Sequence, residues 1–142
     1  MQGTDMSHSP ITPYLTVRGA AAAIDFYCRA FGAAERMRMP APDGQRLMHA
    51  ELGVNGGVIF LSDEFPEHGC SGAPEASAPP PVAVSLALGT AQEVDAIHAR
   101  ALAAGATSEM GPMDAFWGAR FAALRDPFGH RWMLNAPLQA AG

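Results

Sequence analysis

The stretch "YLTVRGAAAAIDFYCRAFGAAER" at residues 14–36 has a counterpart, "VSLALGTAQEVDAIHARALAAGATSE", at residues 84–109. Gly19 aligns with Gly89, and Ile24 with Val94, at an offset of 70 residues. Beyond the helix-like segments the offset becomes 73, which predicts that the second helix is about one turn longer than the first. The chain is therefore predicted to consist of two related halves.

Each half begins with a β-rich run, at residues 11–17 and 82–88, that meets a glycine and then an alanine-rich helix closed by another glycine. Alanine loses almost no side-chain entropy in a helix, and a glycine past the end can adopt the left-handed conformation that caps the last carbonyls. Residues at the i, i+3, i+4, i+7 spacing of one helix face are Ile24, Tyr27, Cys28 and Phe31 in the first half. The same spacing in the second half gives Val94, Ile97, His98 and Ala101, of which all but His98 are apolar. Both helices are predicted to be amphipathic, and each should cover a sheet.

Three short strand-like runs follow each helix, separated by turn residues such as Asn55-Gly56 and the "DPFG" of residues 126–129. They lie at 35–40, 46–53 and 57–63 in the first half and at 107–115, 119–125 and 131–135 in the second. We predict an α+β fold of two tandem βαβββ modules, about 10–63 and 82–137, within a single domain of residues 1–142. A linker rich in Pro, Gly, Ser and Ala, at about 64–81, joins the modules.

Composition narrows the possible partners. With 9 Lys and Arg against 14 Asp and Glu, the chain has no basic surface to neutralise phosphates, so we expect no nucleic acid partner. No run approaches the roughly 20 apolar residues of a membrane span. The start, "MQGTDMSHSP", lacks the features of a secretory signal, which predicts a cytoplasmic protein. A small molecule is the expected partner.

Two βαβββ modules in one chain resemble the glyoxalase/bleomycin resistance/dioxygenase superfamily, also called the vicinal oxygen chelate superfamily. The stretches "ITPYLTV", "AIDFYCRAFGA" and, most specifically, "FWGARFAALRDPFGHRWML" at residues 116–134 are similar to its PhnB-like branch. The resemblance implies sheets that curl into an open cup with the helices outside. It also implies a homodimer, often with a site shared between chains or modules.

The resemblance further implies where metal-dependent relatives carry ligands, namely on the first and last strand of each module. The matching positions here are Thr12, Phe60, Val82 and Met133. Zinc, nickel or iron sites of this kind need imidazole nitrogens and carboxylate oxygens, which these four side chains do not supply. We therefore expect neither a metal nor another cofactor.

Strand alternation predicts which side chains face the cup. Tyr14 and Ser62 should line it, together with Thr16, Val84 and the four ligand positions, Thr12, Phe60, Val82 and Met133. His49 and Glu51 should share one face opposite the apolar Met48, Ala50 and Leu52, and they are the acid/base candidates. Six methionines in or beside strands are expected to fill the core, with an adaptable pocket as the alternative.

Two further residues complete the predicted ligand contacts. Trp117 would cover the rim of the cup, with a place in the core as its alternative, and Arg120 would pair with an anionic group, with a solvent or dimer-interface role as its alternative. His130, on the turn before the last strand, is predicted to be structural.

These features lead to one function and two alternatives. The first is metal-independent binding of a small organic molecule in the cup. The second is a divergent enzyme of the same superfamily, of lyase or dioxygenase type, that uses His49 and Glu51. The third is a dimeric accessory module without a ligand.

Overall fold

The computed structural model of the protein describes residues 11–70, 72–75 and 78–138. The leader on which the prediction of the compartment depends lies outside these residues. The first module contains β1 (Tyr14–Val17), α1 (Ala20–Phe31), β2 (Ala34–Pro40), β3 (Leu47–Val54) and β4 (Gly57–Asp63). The second contains β5 (Ala83–Ala87), α2 (Ala91–Ala104), β6 (Thr107–Ala115), β7 (Ala119–Arg125) and β8 (Arg131–Pro137). A 3₁₀ turn, Pro66–His68, lies between the modules.

Each module forms a four-stranded mixed sheet with the same topology. The strand orders are β1-β4-β3-β2 in sheet A and β5-β8-β7-β6 in sheet B. In both sheets the first and last strands of the module pair in parallel, and the remaining neighbours are antiparallel. The predicted α+β fold with two βαβββ modules is confirmed.

The two helices begin differently, although the sequence repeat aligns them. Thr90 caps α2 with a capping box, in which Glu93 bonds back to the Thr90 backbone. At the start of α1, Gly19 has no side chain to act as a cap. Instead the Asp63 carboxylate at the end of β4 accepts hydrogen bonds from the backbone N–H groups of Gly19 (2.7 Å) and Ala20 (2.9 Å). The first helix thus depends on its own sheet for a cap.

One hydrophobic core runs through both modules. The predicted stripe on α1 is buried at Ile24, Tyr27 and Phe31. Phe31 packs against the fully buried Trp132 of β8, with ring centroids 4.5 Å apart, and Tyr27 lies 5.3 Å from the same indole. Because aromatic rings of one module fill the core of the other, the modules are packed as one unit.

Equivalent residues of the two modules lie 71 positions apart in the structure, one more than the predicted offset of 70. The first helical residues, Ala20 and Ala91, lie 71 positions apart, as do the buried strand residues Leu15 and Leu86. In β5 it is therefore Ser85 that pairs with Met133, while Val84 pairs with Trp132. The prediction that Val84 faces the cup is wrong, because Val84 packs against the core.

Within the residues that the structure describes, neither helix has the length and apolar composition that a membrane span requires.

Candidate functional site

The face of sheet A that points away from the helices holds five of the ten predicted site residues. Neighbouring strands align Tyr14 with Phe60 and Phe60 with Glu51, so that three side chains of different chemistry form one row. The next positions on the same face are Thr16 and Ser62, which also align. Alternation along β1 and β4 places these residues as the sequence predicts.

Strand β3 departs from simple alternation near its start. Met39 pairs with His49, but Pro40 pairs with Leu47, so a bulge occurs at Met48. Leu47 is buried and Met48 is 44% exposed. The prediction that Met48 belongs to the core face is therefore wrong, because the bulge turns its side chain to the face of His49.

A cavity of about 570 Å³ lies over this face. Tyr14, Thr16, Met48 and Ser62 form its floor, and Phe65, His68 and Cys70 come from the segment after β4. These three residues fall in the predicted linker, so the sequence pattern did not identify them as part of a site. The available signal was Phe65, the one aromatic residue in "DEFPEHGC", and it is 7% exposed.

Arg46 holds the segment that follows β4 against the sheet. Its guanidinium lies 4.2 Å from the centre of the Phe65 ring and pairs with Glu67 at 2.6 Å. The hydrogen bonds from Arg46 lower the pKa of Glu67 to about 2, and hydrogen bonds from Arg46 and Gln45 lower the pKa of Asp43 to about 2. These contacts fix one wall of the cavity.

His49 and Glu51 are joined to Tyr14 in a chain of hydrogen bonds. The Tyr14 hydroxyl lies 2.8 Å from Nδ1 of His49, and Nε2 of His49 lies 2.9 Å from a carboxylate oxygen of Glu51. Phe60 packs edge-on against both rings, with centroids 5.9 Å from Tyr14 and 4.9 Å from His49. Burial raises the pKa of the Tyr14 phenol; Ser62 lowers it by hydrogen bonding, while Cys70 and Glu51 raise it further.

The remaining predicted contacts are dispersed. Met133 is half-buried on the open face of sheet B, and Trp117 lies in the turn between β6 and β7, where its ring meets Phe121 at 5.6 Å. Val82 precedes β5 and is 73% exposed. It lines a second cavity, of about 400 Å³, between the edge strands β1 and β5. Thr12, two residues before β1, is half-buried.

Arg120 lies on the opposite side of its sheet from the predicted cup. Its guanidinium bonds to Asp95 of α2 at 2.9 Å and to Asp114 of β6 at 2.8 Å. It pairs with Ala136, which is buried among core residues. The placement of Arg120 among the ligand contacts is therefore wrong, because even positions of β7 face the helix.

The side chains at the positions where metal-dependent relatives carry ligands do not fit a metal ion. Phe60 and Met133 present a phenyl ring and a thioether, and neither Thr12 nor Val82 adds an imidazole or a carboxylate. Within residues 11–70, 72–75 and 78–138, no three His, Cys, Asp or Glu side chains are grouped so as to hold a metal. His49 and Glu51 bond to each other.

All six methionines in the described part of the chain lie on the two sheet faces that point away from the helices. Five of them, Met37, Met39, Met48, Met110 and Met113, have exposed fractions of 37% to 46%, and Met133 is half-buried. The expectation that they fill the core is wrong. They form open surfaces of flexible, polarisable side chains.

Comparisons with known proteins agree with this architecture. Residues 10–134 match the family model described as Glyoxalase/Bleomycin resistance protein/Dioxygenase superfamily. An uncharacterized protein of Mycobacterium bovis is 44% identical over 131 residues, covering 91% of this chain and 84% of that protein. The crystal structure of protein PA1353 from Pseudomonas aeruginosa superposes with a TM-score of 0.71 at 26% identity, covering 91% of this chain and 98% of the other.

A second solved structure is a putative 3-demethylubiquinone-9 3-methyltransferase, PhnB protein, from Bacillus cereus. It superposes with a TM-score of 0.70 at 21% identity, covering 90% of this chain and 99% of that one. At this identity the similarity concerns the fold alone.

Proposed function

Because the chain belongs to the glyoxalase/bleomycin resistance protein/dioxygenase superfamily, we propose that it binds a small organic molecule over the open face of sheet A, without a metal. Within the superfamily we assign it to the PhnB-like branch, on the motif at residues 116–134. The fold hosts several chemistries, so the proposal depends on the site itself.

The observation that carries this proposal is the adaptable apolar lining of the cavity around Tyr14. Met48 and Phe65 offer apolar contact, and Thr16, Ser62 and His68 are among the polar groups beside them. A volume of about 570 Å³ lies within the range of small-molecule sites, which are mostly apolar with a few placed polar groups. Methionine surfaces repack around ligands of different shape, which suits a sequestering or resistance-type role.

We further propose that the protein is a homodimer, because two large aromatic side chains are exposed next to each other on its surface. Phe116 is 98% exposed and Trp117 is 54% exposed, at the tip of the β6–β7 hairpin. Contiguous exposed apolar side chains of this kind mark interaction surfaces. A second copy of the chain is the partner that a closed, symmetric assembly provides.

A thermal-shift screen of aromatic and alicyclic fragments tests the binding proposal. A compound that binds only the native state raises the melting temperature by mass action. We expect hits whose affinity falls about fivefold in Met48→Ala, because the lost apolar contact is worth about 1 kcal/mol at this half-exposed site.

Met110→Ala is the matched control, since Met110 is 45% exposed but lies on the other sheet. It should leave the affinity of the hits unchanged. A screen without hits, or hits that respond equally to both variants, would contradict the proposal.

A further inference from the structure

With a neutral imidazole, the hydrogen bonds among Tyr14, His49 and Glu51 have one consistent polarity. A carboxylate can only accept, so Nε2 of His49 carries the proton that is shared with Glu51. Tyr14 is a phenol at neutral pH, because the ordinary pKa of tyrosine is about 10, and in this arrangement it donates to the bare Nδ1 at 2.8 Å. Glu51 thereby holds His49 in the tautomer that can take the Tyr14 proton.

Exposure separates the roles of the three groups. Tyr14 is 51% exposed and lines the cavity of about 570 Å³, as well as the cavity between β1 and β5. The side chains of His49 and Glu51 are each 23% exposed, and neither belongs to the residues that line the larger cavity. A molecule in that cavity would therefore meet the relay at the Tyr14 oxygen.

We propose that Tyr14, His49 and Glu51 form a proton relay that acts on an enolisable carbonyl compound bound in the cavity. The inference rests on the proposed binding function, to which it adds a reaction and a substrate class. Tyr14 is the catalytic residue, His49 is the proton acceptor behind it, and Glu51 is a positioning residue.

The step balances without a cofactor. The Tyr14 oxygen takes a proton from the carbon beside the carbonyl while its own proton moves to Nδ1 of His49. The C–H bond breaks, its electron pair forms the enolate, and the imidazolium is stabilised by the Glu51 carboxylate. Returning the proton to the same carbon restores the substrate, and returning it to another carbon gives an isomer. Thr16, which lines the same cavity, is placed to donate its hydroxyl to the enolate oxygen.

The chemical test uses 2-tetralone, an enolisable ketone with an aromatic ring, in deuterated buffer. Proton NMR follows the exchange of its α-hydrogens with solvent in the presence of the purified protein. We expect wild type to accelerate this exchange, Tyr14→Phe to lower the acceleration by about 100-fold or more, and Glu51→Gln to lower it at least about tenfold. Glu35→Gln, an acid-to-amide change on β2 outside the cavity, is the matched control and should behave as wild type.

A spectroscopic readout separates positioning from a merely structural role. Nitrogen NMR of the imidazoles should show the His49 proton on Nε2 in wild type and a mixture of tautomers in Glu51→Gln, with both proteins folded. A proton on Nδ1 in wild type would overturn the relay. So would equal exchange rates in wild type and Tyr14→Phe.

The same samples distinguish failure of the relay from failure of binding. If 2-tetralone shifts the Met48 methyl resonance but its α-hydrogens exchange at the same rate with wild type and with Tyr14→Phe, the relay is overturned and the binding function stands. If 2-tetralone causes neither effect and the fragment screen has no hits, both proposals are overturned.

Discussion

Two buried carboxylates, Asp63 and Asp126, each organise several backbone and side-chain donors. Asp63 accepts from Gly19 and Ala20 at the start of α1 and from the backbone of Leu47 at 2.8 Å. Asp126, the first residue of the "DPFG" turn, accepts from the Tyr27 hydroxyl at 2.5 Å and from the Trp132 indole at 2.9 Å. Burial and the Asp126 charge raise the pKa of Tyr27 well above its usual value. Asp126 and Trp132, both in the motif at residues 116–134, thus hold the fold together.

Burial of His98 predicts that the free energy of unfolding depends on pH. It is 7% exposed, contacts the Ser108 hydroxyl at 2.8 Å, and has its pKa lowered by burial, with Asp95 opposing that shift. The unfolded chain, with a pKa near the ordinary 6.5, takes up the proton first as the pH falls. The free energy of unfolding should therefore decrease from about pH 6.5 downward and level off below the folded-state pKa.

Urea unfolding of wild type and His98→Gln between pH 7.5 and 5 measures this contribution. The slope of the unfolding free energy against pH should be smaller in His98→Gln. His68→Gln removes an exposed imidazole and should keep the slope of wild type. An unchanged slope in His98→Gln would show that folding does not lower the pKa of His98, which would contradict this prediction.

At the scale of elements, alternation and turn chemistry predicted β1, β4 and the hairpin between β3 and β4, where Asn55 and Gly56 both have positive φ. The errors have local physical causes. The bulge at Met48 adds a residue to β3, which hydrophobicity does not signal. The offset is 71 residues both in the first strands, at Leu15 and Leu86, and at the helix starts, so the alignment of Gly19 with Gly89 placed β5 one residue out of register. A shift of one residue exchanges the faces of a strand, so Val84 was misplaced.

The hydrogen-bonded chain from Tyr14 to Glu51 was only partly predictable from sequence. Alternation places His49 and Glu51 on one face, two residues apart. Tyr14 joins them because β4 lies between β1 and β3 in the sheet, and strand order is not encoded in local patterns. The methionines were misassigned because their hydrophobicity is that of core residues.

The β6–β7 hairpin carries the prediction about assembly. Phe116 and Trp117 pack edge-on at 5.1 Å at its tip and are largely exposed in the single chain. Light scattering coupled to size exclusion should give wild type a mass of twice 14.8 kDa, and Phe116→Ser should move it toward 14.8 kDa. Leu102→Ser, at an exposed apolar residue of α2, is the control that should keep the wild-type mass. A wild-type mass of one chain would contradict the proposed dimer.

At the scale of the whole molecule, a few contacts hold the modules in place. Nε2 of His130 lies 2.9 Å from the Thr16 carbonyl oxygen, so the turn before β8 is attached to β1 beside the cavity. Gly129 has φ +95, and a Cβ there would lie 3.0 Å from Pro74 of the linker. Arg18 ties the linker to the first module through Glu64 and Glu75. The second module and the linker are therefore attached to the first module beside β1, which contributes Tyr14 and Thr16 to the cavity over sheet A.

The central claim is that a small organic molecule binds over the open face of sheet A. Methyl-labelled methionine NMR tests it most directly, because the described methionines report on both open faces and Met48 lines the cavity. Titration with the strongest hit of the fragment screen should shift the Met48 resonance, which Met48→Leu assigns by its loss. A saturating hit that shifts only Met110 and Met113, or no methionine at all, would contradict the account.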